Sequence, residues 1–231
     1  VNNWLNIIKK LLPPRCILCG QPGFADFDLC AGCFADLASN DHCCYRCAEH
    51  FSMAITAPQL CGRCLQKSPD FDDSHAPFLY QGNMRYLITQ LKFAQQYKNA
   101  RLLGSLLAQH IAKTAELPDC IIPMPLHINR YRQRGFNQSI ELARHVSAQL
   151  AVPMDLKSCI RHRDTAQQTT LPAEQRHKNM RQAFSISKSL NYRHVAIVDD
   201  VMTTGASASA LALALKQAGV GRVEVWVCAR A

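Results

Sequence analysis

The chain has 231 residues, 48% of them hydrophobic, enough for one α/β domain and a small satellite, and its formal charge is +9. No apolar run approaches the roughly 18 residues that a membrane span requires, so no membrane-spanning segment is expected. The charge is uneven: residues 1–73 carry six Lys and Arg against eight Asp and Glu, and the remainder twenty against nine. A basic body beside a mildly acidic head fits an anionic ligand or nucleic acid at the body, or a merely solubilising surface.

In chain order, VNNWLNIIKKLL comes first, with Trp4, Ile7, Ile8, Leu11 and Leu12 at helical spacing. Lys9 and Lys10 interrupt it, so it reads as an amphipathic helix and not as a secretory leader; it either packs on the body or anchors the chain to a surface or partner. Nine of the twelve cysteines then fall between Cys16 and Cys64. With no secretory leader, paired spacing points to metal instead of disulfides. The pairs are Cys16/Cys19, Cys30/Cys33, Cys44/Cys47 and Cys61/Cys64. Two residues between ligands let both thiolates reach one tetrahedral zinc at about 2.3 Å.

Two structural zinc sites follow, most simply Cys16/Cys19/Cys30/Cys33 and Cys44/Cys47/Cys61/Cys64. Spacing alone leaves open a cross-braced pairing of the first knuckle with the third, and Cys43 in place of Cys44. Each zinc tetrathiolate has a formal charge of about −2, which makes the head more acidic and disfavours it as a phosphate-backbone binder. It reads instead as a structural or partner-docking module. His42, His50 and His75 read as surface histidines, since four complete pairs leave no vacancy. Acidic turn residues in SPDFDDSHAP place the boundary between a zinc-ribbon head, 1–73, and a body, 74–231.

In the body, His75–Tyr80 and Cys120–Pro125 read as strands, and Met84–Phe93, Ala100–Lys113 and Asn137–Leu150 as helices. Strands at His194–Val198 and Val223–Cys228 flank a helix at Ala206–Gln217 that Gly219 ends. Short apolar strands alternating with helices predict an α/β fold, a mostly parallel sheet flanked by helices, with ligands beyond the carboxyl ends of the strands.

One such end is VAIVDDVMTTGAS, Val195–Ser207. The four apolar residues suit a strand buried on both faces. Asp199 and Asp200 at its mouth would cost several kcal/mol unless something uses their acceptor capacity. Ribose 2′- and 3′-hydroxyls would do so, directly or through a metal. The segment Thr203-Thr204-Gly205-Ala206-Ser207 then offers backbone N–H groups at a helix start, a cradle for phosphate. Together they describe a ribose 5-phosphate site. An N-cap pair closing a βα turn would account for one aspartate only. No GxxxxGK[ST] occurs, so a P-loop is excluded.

Val195–Ser207 resembles the phosphoribosyl-pyrophosphate (PRPP) loop of type I phosphoribosyltransferases. Pro123-Met124-Pro125-Leu126, Arg130, Arg132, Arg134-Gly-Phe-Asn-Gln138 and Leu91-Lys92-Phe93 are similar to the ComF family of competence and DNA-utilisation proteins, as are Arg161, Arg163, Thr165, Gln168, Leu171, Arg176, Asn179 and Phe184. In that family a double zinc ribbon precedes a phosphoribosyltransferase domain. The resemblance implies that Asp199 and Asp200 hold the ribose hydroxyls and lie near the positive charge of an oxocarbenium-like transition state. Thr203, Thr204, Gly205, Ala206 and Ser207 would take the 5-phosphate, and Pro123, Met124, Pro125 and Leu126 would meet pyrophosphate oxygens alongside Mg²⁺. Arg130, Arg134 and Arg163 would join the PRPP site, and a mobile loop around Arg163–Leu171 would close over it. Purine-type enzymes that use a carboxylate base carry an aspartate where this chain has Thr203, which speaks against 6-oxopurine transfer and leaves the acceptor unread. PRPP and reduced zinc thiolates both fit a cytoplasmic protein.

From Arg130 to Arg193 there are twelve Lys and Arg against four Asp and Glu. In an extended loop Arg130, Arg132 and Arg134 would project to one side. They suit pyrophosphate or single-stranded DNA equally, and aromatic interleaving is sparse: Tyr131, Phe136 and Tyr192. His127, His145, His162, His177 and His194 show no ligand spacing. Two functional classes remain, an enzyme moving phosphoribosyl to an unidentified acceptor, and a non-catalytic PRPP or nucleotide sensor and single-strand binder of DNA uptake or utilisation; in either class the zinc ribbon is free to dock other uptake proteins.

Overall fold

The structure is a computed structural model and describes residues 13–94, 96–162, 183–187 and 190–231. The expected N-terminal helix lies outside these residues. Two consecutive-apolar segments, as expected of strands covered on both faces, form the centre of one parallel sheet. They are β6 (His194–Met202) and β7 (Arg222–Arg230). Strand β3 (Cys120–Pro123) pairs with β6 on one side. On the other side of β7 lie β1 (Asp73–His75) and β2 (Phe78–Leu79), so every pairing in this sheet is parallel. The single strand expected over His75–Tyr80 is therefore two. They keep one register, His75 opposite Trp226 and Phe78 opposite Ala229, and the ladder lapses at Ala76-Pro77, where proline has no N–H to give.

Alternation along β6 sorts the helices between the two faces. Ala196 and Val198 pack with helices α3 (Gly82–Ala94), α4 (Tyr97–Thr114) and α6 (Gln138–Leu150). Val195 and Ile197 pack with α7 (Ala206–Gln217). Helices α4 and α6 come close at Gly104, where an added Cβ would stand 2.7 Å from His145 Cβ and 3.0 Å from the Leu142 carbonyl oxygen.

The head carries the short helices α1 (Ala31–Ala35) and α2 (Gly62–Gln66). Its first half joins the α4 side of the core through Cys16, Leu29 and Leu37, while Cys44, Cys47, Cys61 and Cys64 belong to the α7 side. An antiparallel pair, β4 (Cys159–Arg161) and β5 (Phe184–Ile186), was not expected from the sequence.

Within the sheet, Glu224 on β7 is fully buried. It lies 3.6 Å from His75 Nε2, 3.2 Å from His194 Nε2 and 2.7 Å from Arg222 Nη2, and accepts from Trp226 Nε1 at 2.9 Å. Burial by itself would raise this carboxyl, but the contacts with His75 and Trp226 hold it below its ordinary value. Among the described residues no helix is long and apolar enough to cross a membrane.

Candidate functional site

In the head, the sulfurs of Cys16, Cys19, Cys30 and Cys33 lie within 4.8 Å of one another, and so do those of Cys44, Cys47, Cys61 and Cys64. Bonds of about 2.3 Å to one tetrahedral zinc place sulfurs about 3.8 Å apart. The sulfurs of Cys19 and Cys30, at 3.6 Å, and of Cys47 and Cys61, at 3.5 Å, fit that ion. Knuckles pair in sequence order, and Cys43 stays outside the second cluster. All four ligands of the second cluster are buried; in the first only Cys16 is.

In the body, an open cleft of about 390 Å³ lies where β6 gives way to α7, lined by Asp199 and by the turn from Met202 to Ala208. Gly205 has φ +77°, a left-handed conformation that a side chain would strain, and it caps α7. The first N–H groups of a helix have no intrahelical acceptor. One of them, that of Ala206, is given to Thr204 Oγ1 at 3.3 Å. Thr203 and Thr204 are exposed, and Gly205, Ala206 and Ser207 half-buried.

The two carboxylates part company. Strand β6 runs to Met202, not Val198, so both carboxylates lie within the strand, Asp199 opposite Val227 of β7, and as successive strand residues they point to opposite faces. Asp199 faces the cleft on the α7 side. Its Oδ1 accepts from Ser139 Oγ at 2.8 Å and from the Asp200 N–H at 2.9 Å. Burial first, and the Asp200 charge next, raise its pKa to about 6. Asp200 turns to the other face, where only 2% of it is exposed. Lys92 Nζ, on α3, stands 2.9 Å from its Oδ1, while Oδ2 is buried without a hydrogen-bond partner among the described residues. Burial disfavours the Lys92 ammonium, yet the Asp200 charge more than offsets this and raises its pKa.

The Pro123–Leu126 segment runs beside the neck of β6. The Met124 N–H donates to the Val198 carbonyl at 2.8 Å, and Asn137 Nδ2 donates to the Met124 carbonyl at 3.0 Å. Pro123, Pro125 and Leu126 border a second open cleft, of about 880 Å³, together with Ile128, Tyr131 and Ile160. The extended arginine loop is corrected: Ile128–Arg134 is a helix, α5, capped by His127 and ended by Gly135 at φ 77°. At helical spacing Arg130 and Arg134 share a side and Arg132 does not, so the three do not form one row. Arg134 donates to Gln138 Oε1 at 2.8 Å and lies over the Phe93 ring, 5.5 Å from its centroid. Arg163 and the expected mobile loop lie outside the described residues. Ser139 and the pairing role of Lys92 were missed from sequence. The cost of a buried Asp200 was the one signal that a cation had to be near, and it named no position.

A double zinc-ribbon head on a parallel α/β body, with a glycine-turned cleft at the carboxyl end of a central strand, is the class defined so far. Comparison with known proteins agrees with the reading of the head and supplies the family. The double zinc ribbon domain matches residues 7–65. Over 226 residues the chain is 36% identical to competence protein F of Haemophilus influenzae, covering 94% of this chain and 97% of the relative. It is 34% identical to the DNA utilization protein YhgH of Escherichia coli K12, covering 95% and 98%. The chain belongs to this family of competence protein F and DNA utilization proteins, the ComF family.

Among solved structures, the glutamine PRPP amidotransferase of B. subtilis aligns at TM-score 0.40 and 23% identity, over 56% of this chain and 26% of the other. A purine phosphoribosyltransferase of Pyrococcus horikoshii aligns at TM-score 0.35 and 17% identity, over 60% and 76%. The fold described here stands on the chain's own sheet order.

Proposed function

We propose that this chain binds Mg-PRPP in the cleft between β6 and α7 and acts as a phosphoribosyltransferase-like protein in DNA uptake or in the use of DNA as a nutrient. The names of its relatives support the process. The observation that carries the ligand is the pairing of an open, half-buried carboxylate, Asp199, with a helix-starting turn built on a left-handed Gly205. Residues 203–207 would take the 5-phosphate, and Asp199 would accept from the ribose hydroxyls and face the anomeric carbon. Asp200 would meet the sugar only by leaving Lys92; its nearer effect is on the charge and placement of Asp199. Mg²⁺, which prefers oxygen ligands and keeps several waters, would neutralise the leaving pyrophosphate. Asp199 is the open carboxylate that suits such an ion, and the Pro123–Leu126 segment, Arg130, Arg134 and Arg163 complete the proposed pyrophosphate side. Residues 1–73 would dock other uptake proteins, and reduced thiolates fit the cytoplasm.

A second reading, a PRPP sensor that also holds single-stranded DNA, is favoured by Phe93. The residue is 73% exposed and its ring is backed by Arg134, beside the basic helix α5, and aromatic faces with arginines suit unpaired bases. Calorimetry with Mg-PRPP, then pyrophosphate release with a panel of bases, separates the two. Binding and base-dependent release, both lost in Asp199→Asn, are expected of the enzyme. Binding without release across the panel, joined to salt-sensitive single-strand affinity, would favour the sensor. No heat with Mg-PRPP on zinc-loaded protein would remove both.

A further inference from the structure

The back of the cleft is built from the head. Opposite Gly205, Phe71 is fully buried, and its Cζ would stand 3.6 Å from a Cβ at that glycine. Phe71 shares its apolar cluster with the second set of zinc ligands and with Met202. Asp70 beside it accepts from Ser209 Oγ at 2.6 Å, and its N–H donates to the same oxygen at 3.0 Å, which ties it to the first turns of α7. Arg46, lying between Cys44 and Cys47, donates to the Phe71 carbonyl at 3.1 Å.

The strongest link is Arg230, at the end of β7 and only 3% exposed. Its Nε donates to the carbonyl of Cys47, a ligand of the second site, at 3.1 Å. Its Nη1 donates at 3.1 Å to the carbonyl of Met202, the residue that enters the turn. Its Nη2 is paired with Glu49, which also pairs with Arg63, between Cys61 and Cys64. A guanidinium is a rigid planar fork, so its acceptors are held in one arrangement. The first site makes a different attachment, to α4, through Arg101 and Asp28 and the apolar side chains of that face.

We infer that Arg230 is a positioning residue through which zinc in the second site holds the anion-binding turn in shape, so that ligand affinity depends on that zinc and not on the first. The affinity part rests on the phosphate reading above; the shape part does not. A knuckle without its metal loses its fold, because in such modules metal binding is folding free energy. Arg230 then loses Cys47 and Glu49 together, and a buried cation left short of acceptors does not stay where it was. The Met202 carbonyl and the Phe71 floor move with it.

The test uses the full chain loaded with two zincs, reading amide hydrogen exchange at residues 203–207, zinc content and Mg-PRPP affinity. Arg230→Met is expected to keep both zincs, to speed exchange at 203–207 by about tenfold or more, and to weaken PRPP by a similar factor, with Arg230→Lys in between. Cys61→Ser/Cys64→Ser should loosen the turn as much, while Cys16→Ser/Cys19→Ser should leave it within about twofold. Unchanged exchange in Arg230→Met, or equal loosening from loss of either zinc, overturns the inference. If Arg230→Met does not fold, graded chelation of the wild-type chain decides by the same comparison, the emptied knuckle being identified by thiol alkylation. If the wild type gives no heat with PRPP, the phosphate reading falls, and exchange at 203–207 still settles the coupling.

Discussion

Asp199 and Asp200 are neighbours in sequence and sit on opposite faces of the sheet, and each has a separate energetic consequence. The pKa of Asp199 is raised to about 6, so its protonated form is the one the fold prefers. The associated stability is present in full below the ordinary carboxylate value and is lost as pH rises through about 6. Asp199→Asn is therefore expected to gain roughly 1–2 kcal/mol in urea unfolding at pH 8 and nothing near pH 4. A gain of equal size at both pH values would show that ionisation is not the cause. Asp200 depends on Lys92. Lys92→Met leaves a buried carboxylate without its cation and should cost about 3–5 kcal/mol, most of it recovered when Asp200→Asn is added. Additive losses in that double mutant would mean the pair is not coupled. Both roles were hidden in the sequence for one reason. Ending the strand at Val198 put the carboxylates in a loop, where both are free to face one ligand; a strand running to Met202 has to send them apart.

Among the elements, α7 was legible to the residue, because a glycine turn starts it and apolar periodicity carries it to Gln217. The flanking strands were legible in kind, and both run beyond the apolar residues that announced them. Once β7 is in place its neighbour can go on pairing past the two aspartates that interrupt the apolar run, as Val201 and Met202 do opposite Ala229 and Arg230. Helix α5 was not legible. It is seven residues long, buries none of them and carries arginines at alternate positions, a pattern that reads equally as extended chain. The β4–β5 pair had only three residues a side to announce it. Packing between elements gives a sharper test. Gly104→Ala would push a methyl into the His145 Cβ and the Leu142 carbonyl, where α4 meets α6, and should cost about 1–3 kcal/mol by chemical unfolding. An unchanged midpoint would mean that the two helices yield at that crossing.

At the scale of the molecule, the sheet is tied across its middle by Glu224, which meets His75 on β1 and His194 on β6. Its pKa is lowered, so the stability it contributes is present above the ordinary glutamate value and is lost as pH falls through the lower, folded one. Glu224→Gln should cost about 1–3 kcal/mol at pH 7, and the difference from wild type should shrink toward pH 3. A difference that does not vary with pH would place the effect in shape and not in charge. The zinc sites were readable from spacing in number, and their pairing was not: only the packing of the knuckles against opposite faces of the core sets sequence-order partners. Strand β7 carries one more consequence. It follows β1, β2, β3 and β6 in the chain, yet it lies inside the sheet, with Asp73 opposite Glu224 on one flank and β6 on the other. The early strands after the head must therefore wait, edges bare, until residues 222–230 arrive between them and β6. Such a long-range closure slows folding, and until it happens the unpaired edges of those strands are exposed to pairing with another chain.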